Sequence, residues 1–227
     1  MRLIIPQVLP RDAVAQFREQ LSLAQWADGR ISAGTQAQAQ KNNLQLPENT
    51  ELAKLLSNSV LDHLGKSAQF FAAALPKKIY PPLFNCYSGS TNSFGNHVDN
   101  AVRTHAASQT HVRTDLSFTL FLSDPDEYDG GELVIEDGAA SARIKLPAGD
   151  MLLYPASSLH RVEAVTRGAR ICCFSWLQSM VRADEQRSLL YALDMSLMQL
   201  RQKQDNEPSV LSLTACYHNL LRMWAEV

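Results

Sequence analysis

His97 and Asp99 stand two apart in what reads as an extended strand, which brings an imidazole and a carboxylate to one side of the chain. Both can then hold one metal ion. A third ligand from a distant strand would set two histidines and one carboxylate on one face of that ion, with other positions open, as expected for non-heme Fe(II) oxygenases. His160 is the best candidate. It follows Gly149-Asp150-Met151-Leu152-Leu153-Tyr154-Pro155, an apolar strand ended by a proline turn. Ten residues further on, Arg170 opens the strand Ile171-Cys172-Cys173-Phe174-Ser175-Trp176. If His160 and Arg170 sit on neighbouring antiparallel strands, the guanidinium looks into the cavity beside the metal. A planar fork there suits the far carboxylate of a dicarboxylate cosubstrate.

Asn85-x-Tyr87, His97-x-Asp99, His160 and Arg170 together resemble the iron- and 2-oxoglutarate-dependent dioxygenases, on their prolyl-hydroxylase side. More narrowly, the chain is similar to the bacterial PKHD-type hydroxylases from near its N-terminus to Val227. The shared features include Lys41-Asn42-Asn43, Pro82-Leu83-Phe84-Asn85, Arg113-Thr114-Asp115-Leu116-Ser117, Tyr128-Asp129-Gly130-Gly131-Glu132-Leu133 and Ser158-Leu159-His160. A lone HxD is weak; the ordered set is specific.

The resemblance implies Fe(II) on His97, Asp99 and His160, with the distal carboxylate of 2-oxoglutarate on Arg170. It also implies a phenolic hydrogen bond from Tyr87 to the cosubstrate. Asn85 either joins it or satisfies a buried backbone group. Dioxygen and 2-oxoglutarate would give succinate, carbon dioxide and a hydroxylated acceptor, with L-ascorbate re-reducing the iron. The acceptor stays open between a protein side chain, a free amino acid and a small molecule linked to iron uptake. Prolyl hydroxylases often hold 2-oxoglutarate with a second tyrosine where this chain has Leu120-Phe121-Leu122, so the full set of cosubstrate contacts is left open. Two rival readings remain: a cupin-type metal enzyme that does not use 2-oxoglutarate, and a non-catalytic sensor or binding module.

The elements that must position these residues follow from patterning. At 227 residues, 45% hydrophobic and 19% charged, the chain can bury a substantial core. A net charge of −2 gives no footprint for nucleic acid or an anionic membrane. No run is long enough for a membrane span and no signal region opens the chain, so the expected location is cytoplasmic. Cys86, Cys172, Cys173 and Cys216 have no zinc-site spacing and read as buried free thiols, Cys172 and Cys173 on opposite faces of a strand.

Residues 1–78 read as supporting structure: a strand at Leu3-Ile4-Ile5, a helix over 11–25, a loop over 29–40, and a helix over 49–64 with Leu52, Leu55, Leu56 and Leu64 on one face. The 29–40 loop reads as an ordinary surface connection, Lys41-Asn42-Asn43 is left open as a substrate contact, and His63 reads as a surface or capping residue. Residues 79–178 form the catalytic domain, with strands over 83–88, 94–99, 115–123, 131–136, 141–146, 150–154, 159–165 and 169–177. The polar segment 100–114 reads as a loop at the mouth, and Leu120, Phe121 and Trp176 as core. Residues 179–227 form a helical hairpin, with Leu189, Leu190, Leu193, Leu197 and Leu200 on one helix and Leu213, Tyr217, Leu220, Leu221 and Trp224 on the other. It can cover the barrel or pair with a copy of itself, which makes a homodimer a hypothesis. The expected fold is α+β: a double-stranded β-helix, or jelly roll, with N-terminal supporting helices and a C-terminal helical hairpin.

Overall fold

The computed structural model describes residues 1–32, 34–137, 140–204 and 207–227. Leu3–Ile5 forms β1, and Arg11–Ser22 forms helix α1, whose Val14, Phe17 and Leu21 are buried as their spacing requires. Short pieces follow: β2 (Ala27–Asp28), a 3-10 turn over Gly29–Ser32, α2 (Thr35–Gln38), β3 (Lys41–Asn42) and β4 (Leu44–Gln45). Helices α3 (Glu51–Lys66) and α4 (Ala68–Ala74) each start on a hydroxyl cap, Thr50 accepting from the Ala53 N–H and Ser67 from that of Phe70.

Strands then dominate. They are β5 (Pro76–Ile79), β6 (Leu83–Ser88), β7 (Ser93–His97), β8 (Val102–His105), β9 (Thr110–Arg113) and β10 (Leu116–Phe121). After them come β11 (Asp129–Gly130), β12 (Leu133–Asp137), β13 (Ala140–Ile144), β14 (Met151–Pro155), β15 (His160–Val162), β16 (Val165–Arg167) and β17 (Ala169–Ser179). Helices α5 (Asp184–Gln204) and α6 (Pro208–Trp224) close the chain.

Among the described residues, the larger sheet runs β1-β14-β10-β17-β6-β4-β2, with β5 pairing the far end of β17; the smaller runs β13-β12-β15-β7-β3. Both are antiparallel throughout. Strands of the larger sheet alternate between two apolar surroundings. On β17, Ile171, Cys173 and Leu177 pack with Phe17 of α1, Leu56 and Val60 of α3 and Phe70 of α4. The neighbouring Cys172 instead joins Tyr87, Phe121 and Tyr154 against Leu133, Ile135 and Val162 of the smaller sheet. One face therefore builds the helical support and the other a cavity between sheets, the jelly-roll arrangement expected.

Several expectations are corrected. Segment 100–114 is not a loop: β8 and β9 pair from Val102↔Arg113 to His105↔Thr110. Its hairpin shows little apolar alternation because only Val112 of the two strands is buried. The strand expected over 159–165 breaks into β15 and β16, and β7 ends at His97, so Asp99 lies beyond the strand. The loop over 29–40 contains a 3-10 turn and α2, and α4 was missed because its run is apolar all round. Leu55, Leu189 and Leu200 are exposed, since α3 and α5 bury narrower stripes centred on Leu56 and Val60 and on Leu190 and Leu197. Cys216 is also exposed, unlike the other three free thiols.

Candidate metal centre

The register places His97 of β7 directly opposite His160 of β15, which brings the two rings to 4.2 Å between centroids. Asp99 meets them from the segment after β7. One ligand atom from each of the three side chains lies within 4.8 Å of the others. Each imidazole is oriented by a backbone carbonyl two residues back in its own chain: His97 Nδ1 lies 2.8 Å from Gly95 O, and His160 Nδ1 lies 2.9 Å from Ser158 O. A carbonyl only accepts, so Nδ1 carries the proton and Nε2 keeps its lone pair for a metal. The Asp99 carboxylate is held by Ser117 of β10, whose hydroxyl donates to Oδ2 at 2.6 Å.

Packing fixes both rings further. Phe94 stacks on His97 at 3.5 Å and 12°, and Tyr154 presents an edge to His160 at 5.3 Å. Burial, then repulsion from His160, pushes His97 down to about 4, so it is neutral at physiological pH. A neutral imidazole is the form that ligates metal.

Arg170 lies in the same cavity, on β17 beside Tyr87 of β6. It is 1% exposed, and its guanidinium lies between the Tyr87 and Phe121 rings, 5.2 Å from each. Among the described residues no carboxylate pairs with it. Arg170 Nε, the neighbouring Tyr128 hydroxyl and Asn85 Oδ1 are buried without hydrogen-bond partners. Burial pushes the Tyr87 phenol up to about 12, which keeps it a neutral O–H donor, and Asn85 Nδ2 reaches it at 3.5 Å. A buried guanidinium with no carboxylate partner and unpartnered polar atoms around it has the chemistry to hold an anion.

The triad, Arg170, Tyr87 and Asn85 line one cavity. A relative from Saccharophagus degradans named PKHD-type hydroxylase is 55% identical over 226 residues, covering 100% of both chains. This chain belongs to the PKHD-type hydroxylases. Residues 82–178 match the 2OG-Fe(II) oxygenase superfamily, and residues 184–226 match the PKHD-type hydroxylase C-terminal domain. Among solved structures, the prolyl hydroxylase from Trichoplax adhaerens in complex with a hypoxia inducible factor fragment is similar in fold. It shows a TM-score of 0.56 and 15% identity, over 83% of this chain and 86% of that one. HygX from Streptomyces hygroscopicus, bound to nickel, 2-oxoglutarate and hygromycin B, shows a TM-score of 0.54 and 14% identity, over 79% and 84%.

In this PKHD-type hydroxylase all six candidate residues face one space, but not by the route expected from sequence. His160 and Arg170 are on opposite sheets, because the chain leaves the smaller sheet after β15, pairs with β11 through β16 in a separate two-stranded ribbon, and then enters the larger sheet as β17. Arg167 stays outside, paired with Asp129. His105 and His111 lie on the β8–β9 hairpin and do not line the cavity.

Sequence reasoning missed Ser117, Tyr128 and Arg103, and it undervalued Lys41 and Trp176. Lys41 is 5% exposed and lines the cavity, where burial, then Arg103, lowers its ammonium to about 7. Trp176 lines the cavity too, with the Arg103 guanidinium 4.0 Å from its ring. A lysine between polar residues in Lys41-Asn42-Asn43 gave no signal of burial; β3 buries it by pairing Lys41 with Phe94.

Proposed function

We propose that His97, Asp99 and His160 hold a ferrous ion, that Arg170 anchors the distal carboxylate of 2-oxoglutarate, and that Tyr87 and Asn85 complete its hydrogen bonds. Dioxygen is the oxidant in this chemistry, which bound iron would support: one oxygen atom would go to succinate as 2-oxoglutarate gives up two electrons and carbon dioxide, and the other to a C–H bond of the acceptor as hydroxyl. The observation that carries the reading is the unpaired Arg170 guanidinium in the cavity that holds the triad. It explains a desolvated cation that a cupin-type enzyme without 2-oxoglutarate would not need.

The protein's part is placement. The two Nδ1–H bonds aim both imidazoles, and Ser117 fixes the carboxylate. Tyr128 beside Arg170 offers the second tyrosine that β10 lacks, its free hydroxyl serving the same carboxylate. The acceptor is peptidyl, an amino acid or a small molecule. Ascorbate restores ferrous iron, and the free cysteines fit a reducing cytoplasm. The described helices include none long and apolar enough to cross a membrane. The exposed Leu189, Met198 and Leu200 of α5 and Leu211 and Met223 of α6 offer a surface for a homodimer, which sedimentation showing only monomer would remove.

An anaerobic titration with Fe(II) and 2-oxoglutarate tests the assignment through the metal-to-ligand charge-transfer band. The band is expected in the unaltered protein and lost in His160→Ala. Arg170→Gln is expected to weaken 2-oxoglutarate by about 2–5 kcal/mol, the cost of removing one partner of a desolvated charge pair. Unchanged affinity would refute the anchor. A mass-spectrometric screen of extract for a gain of one oxygen, requiring Fe(II), 2-oxoglutarate and the triad, identifies the acceptor.

A further inference from the structure

We propose that Lys41 and Arg103, where the inner cavity opens, form the recognition site for a carboxylate of the hydroxyl acceptor, carried on a planar or apolar body. The proposal rests on the reading above, since the acceptor must share the cavity with iron and 2-oxoglutarate.

Arg103, Ser32, Gly34 and Asn100 line both the inner cavity and a second groove outside it, so they mark the passage between the two. Two cations meet at this passage. Lys41 Nζ donates to the Ser32 hydroxyl at 2.8 Å and to Gln45 Oε1 at 3.1 Å. Arg103 Nη2 donates to the Ser32 carbonyl at 3.2 Å, and its Nε is buried with no partner. All these acceptors are neutral, and among the described residues neither cation forms an ion pair. Asp99, Asp28 and Glu48 attract the Lys41 ammonium from a distance, but none of them pairs with it. Buried charges are ordinarily paired directly, and two like charges converging on one serine without a contacting carboxylate are costly unless a ligand supplies one. Ser32 and Gln45 already contact each other at 2.5 Å, so the ammonium is not required to satisfy them.

The surroundings indicate the rest of the ligand. The Arg103 guanidinium lies over Trp176 and, at 5.1 Å, over Tyr80, which fixes its plane and frees an edge for a carboxylate. From Trp176 the aromatic wall continues to Phe174, 5.5 Å away, and Lys41 sits over Phe174 and Phe94. Phe94 in turn stacks on His97. An acceptor held by its carboxylate at Lys41 and Arg103 would thus lay its apolar part along aromatic faces that lead to the metal ligands. Arg170 is not available for this task, being enclosed between Tyr87 and Phe121.

The test uses the full chain with Fe(II) and saturating 2-oxoglutarate under anaerobic conditions, titrated by calorimetry with phenylacetate and with its neutral isostere phenylacetamide. Phenylacetate is expected to bind at least tenfold more tightly. Lys41→Met and Arg103→Gln should each remove most of that difference while leaving 2-oxoglutarate affinity within twofold. Equal affinity for the two probes overturns the proposal, as does discrimination that survives both substitutions. Displacement of phenylacetate by further 2-oxoglutarate also overturns it, because the anion would then belong to Arg170. The comparison of probes on the unaltered protein decides the matter even where a variant fails to fold. Failure of 2-oxoglutarate to bind the Fe(II) protein is a separate outcome: it sinks the cosubstrate reading, and the probe pair is then compared on the Fe(II) protein alone.

Discussion

Asp99 has left its strand by the time it reaches the two histidines, and one hydroxyl sets its angle. The Ser117 Oγ–Asp99 Oδ2 bond of 2.6 Å is the kind of outer contact whose loss costs roughly 10- to 100-fold in metal affinity. Ser117→Ala is accordingly expected to weaken Fe(II) by that range without unfolding the barrel. Metal titration giving wild-type affinity would show that the backbone after His97 suffices. Lys41 poses the opposite case, a residue whose burial destabilises the folded protein. Its folded value of about 7 lies below the usual 10.5, so between those pH values the unfolded chain binds the extra proton. Stability therefore falls as pH is lowered from 10.5 towards 7. Lys41→Met, of similar length and no charge, is expected to raise Tm at pH 7, by about 2–4 °C per kcal/mol gained. A lower Tm in the variant would show that the ammonium contributes net stability.

Strand β17 is the element that spans the cavity. Arg170, Cys172, Phe174 and Trp176 alternate onto its inner face, and the six residue steps from Arg170 to Trp176 set the proposed cosubstrate anchor about 20 Å from the mouth. The anchor end is packed tightly against the turn before β12. Gly131 has φ +69°, and a Cβ there would meet Val165 Cγ2 at 2.8 Å, Tyr128 Cε2 at 2.9 Å and Arg170 Cδ at 3.1 Å. Gly131→Ala should therefore displace Tyr128 and Arg170 together and cost about 1–2 kcal/mol in backbone strain. The expected result is weaker 2-oxoglutarate binding with Fe(II) affinity retained, because the two histidines stand on β7 and β15 and Asp99 follows β7, held by Ser117 of β10. Separate titrations of metal and cosubstrate check this, and equal losses in both would contradict the division.

At the scale of the molecule, the C-terminal hairpin belongs to the body of the protein. Tyr217, Leu220, Leu221 and Trp224 of α6 pack against the buried Leu75, Val181 and Leu190. Arg113 of the β8–β9 hairpin reaches Glu226 at 3.5 Å. Removing residues 208–227 would expose an apolar cluster next to the far end of β17. At about 1.5–3 kcal/mol for each fully buried large side chain, several kcal/mol of stability should go with it. Thermal unfolding of the truncated chain is expected roughly 10 °C or more lower. An unchanged Tm would make α6 an appendage.

The sequence by itself determined which side chains could ligate a metal and in what order they come. It also determined which strands alternate, because ligand chemistry and the period of two are local properties. His97, Asp99, His160 and Arg170 were legible as candidates from their ligand chemistry, although Asp99 lies beyond β7, while Tyr87 and Asn85 were legible only through the family resemblance; the apolar stripes of α1 and the double-sheet core followed from periodicity. Only the tertiary structure decided that His160 and Arg170 face each other from opposite sheets, since β17 is apolar on both faces and the pattern does not reveal which sheet it joins. The same holds for Lys41, Arg103 and Trp176. Their meeting depends on contacts between residues some 60 to 135 apart in the chain, and the desolvation that gives the two cations their meaning exists only once those segments have closed over them.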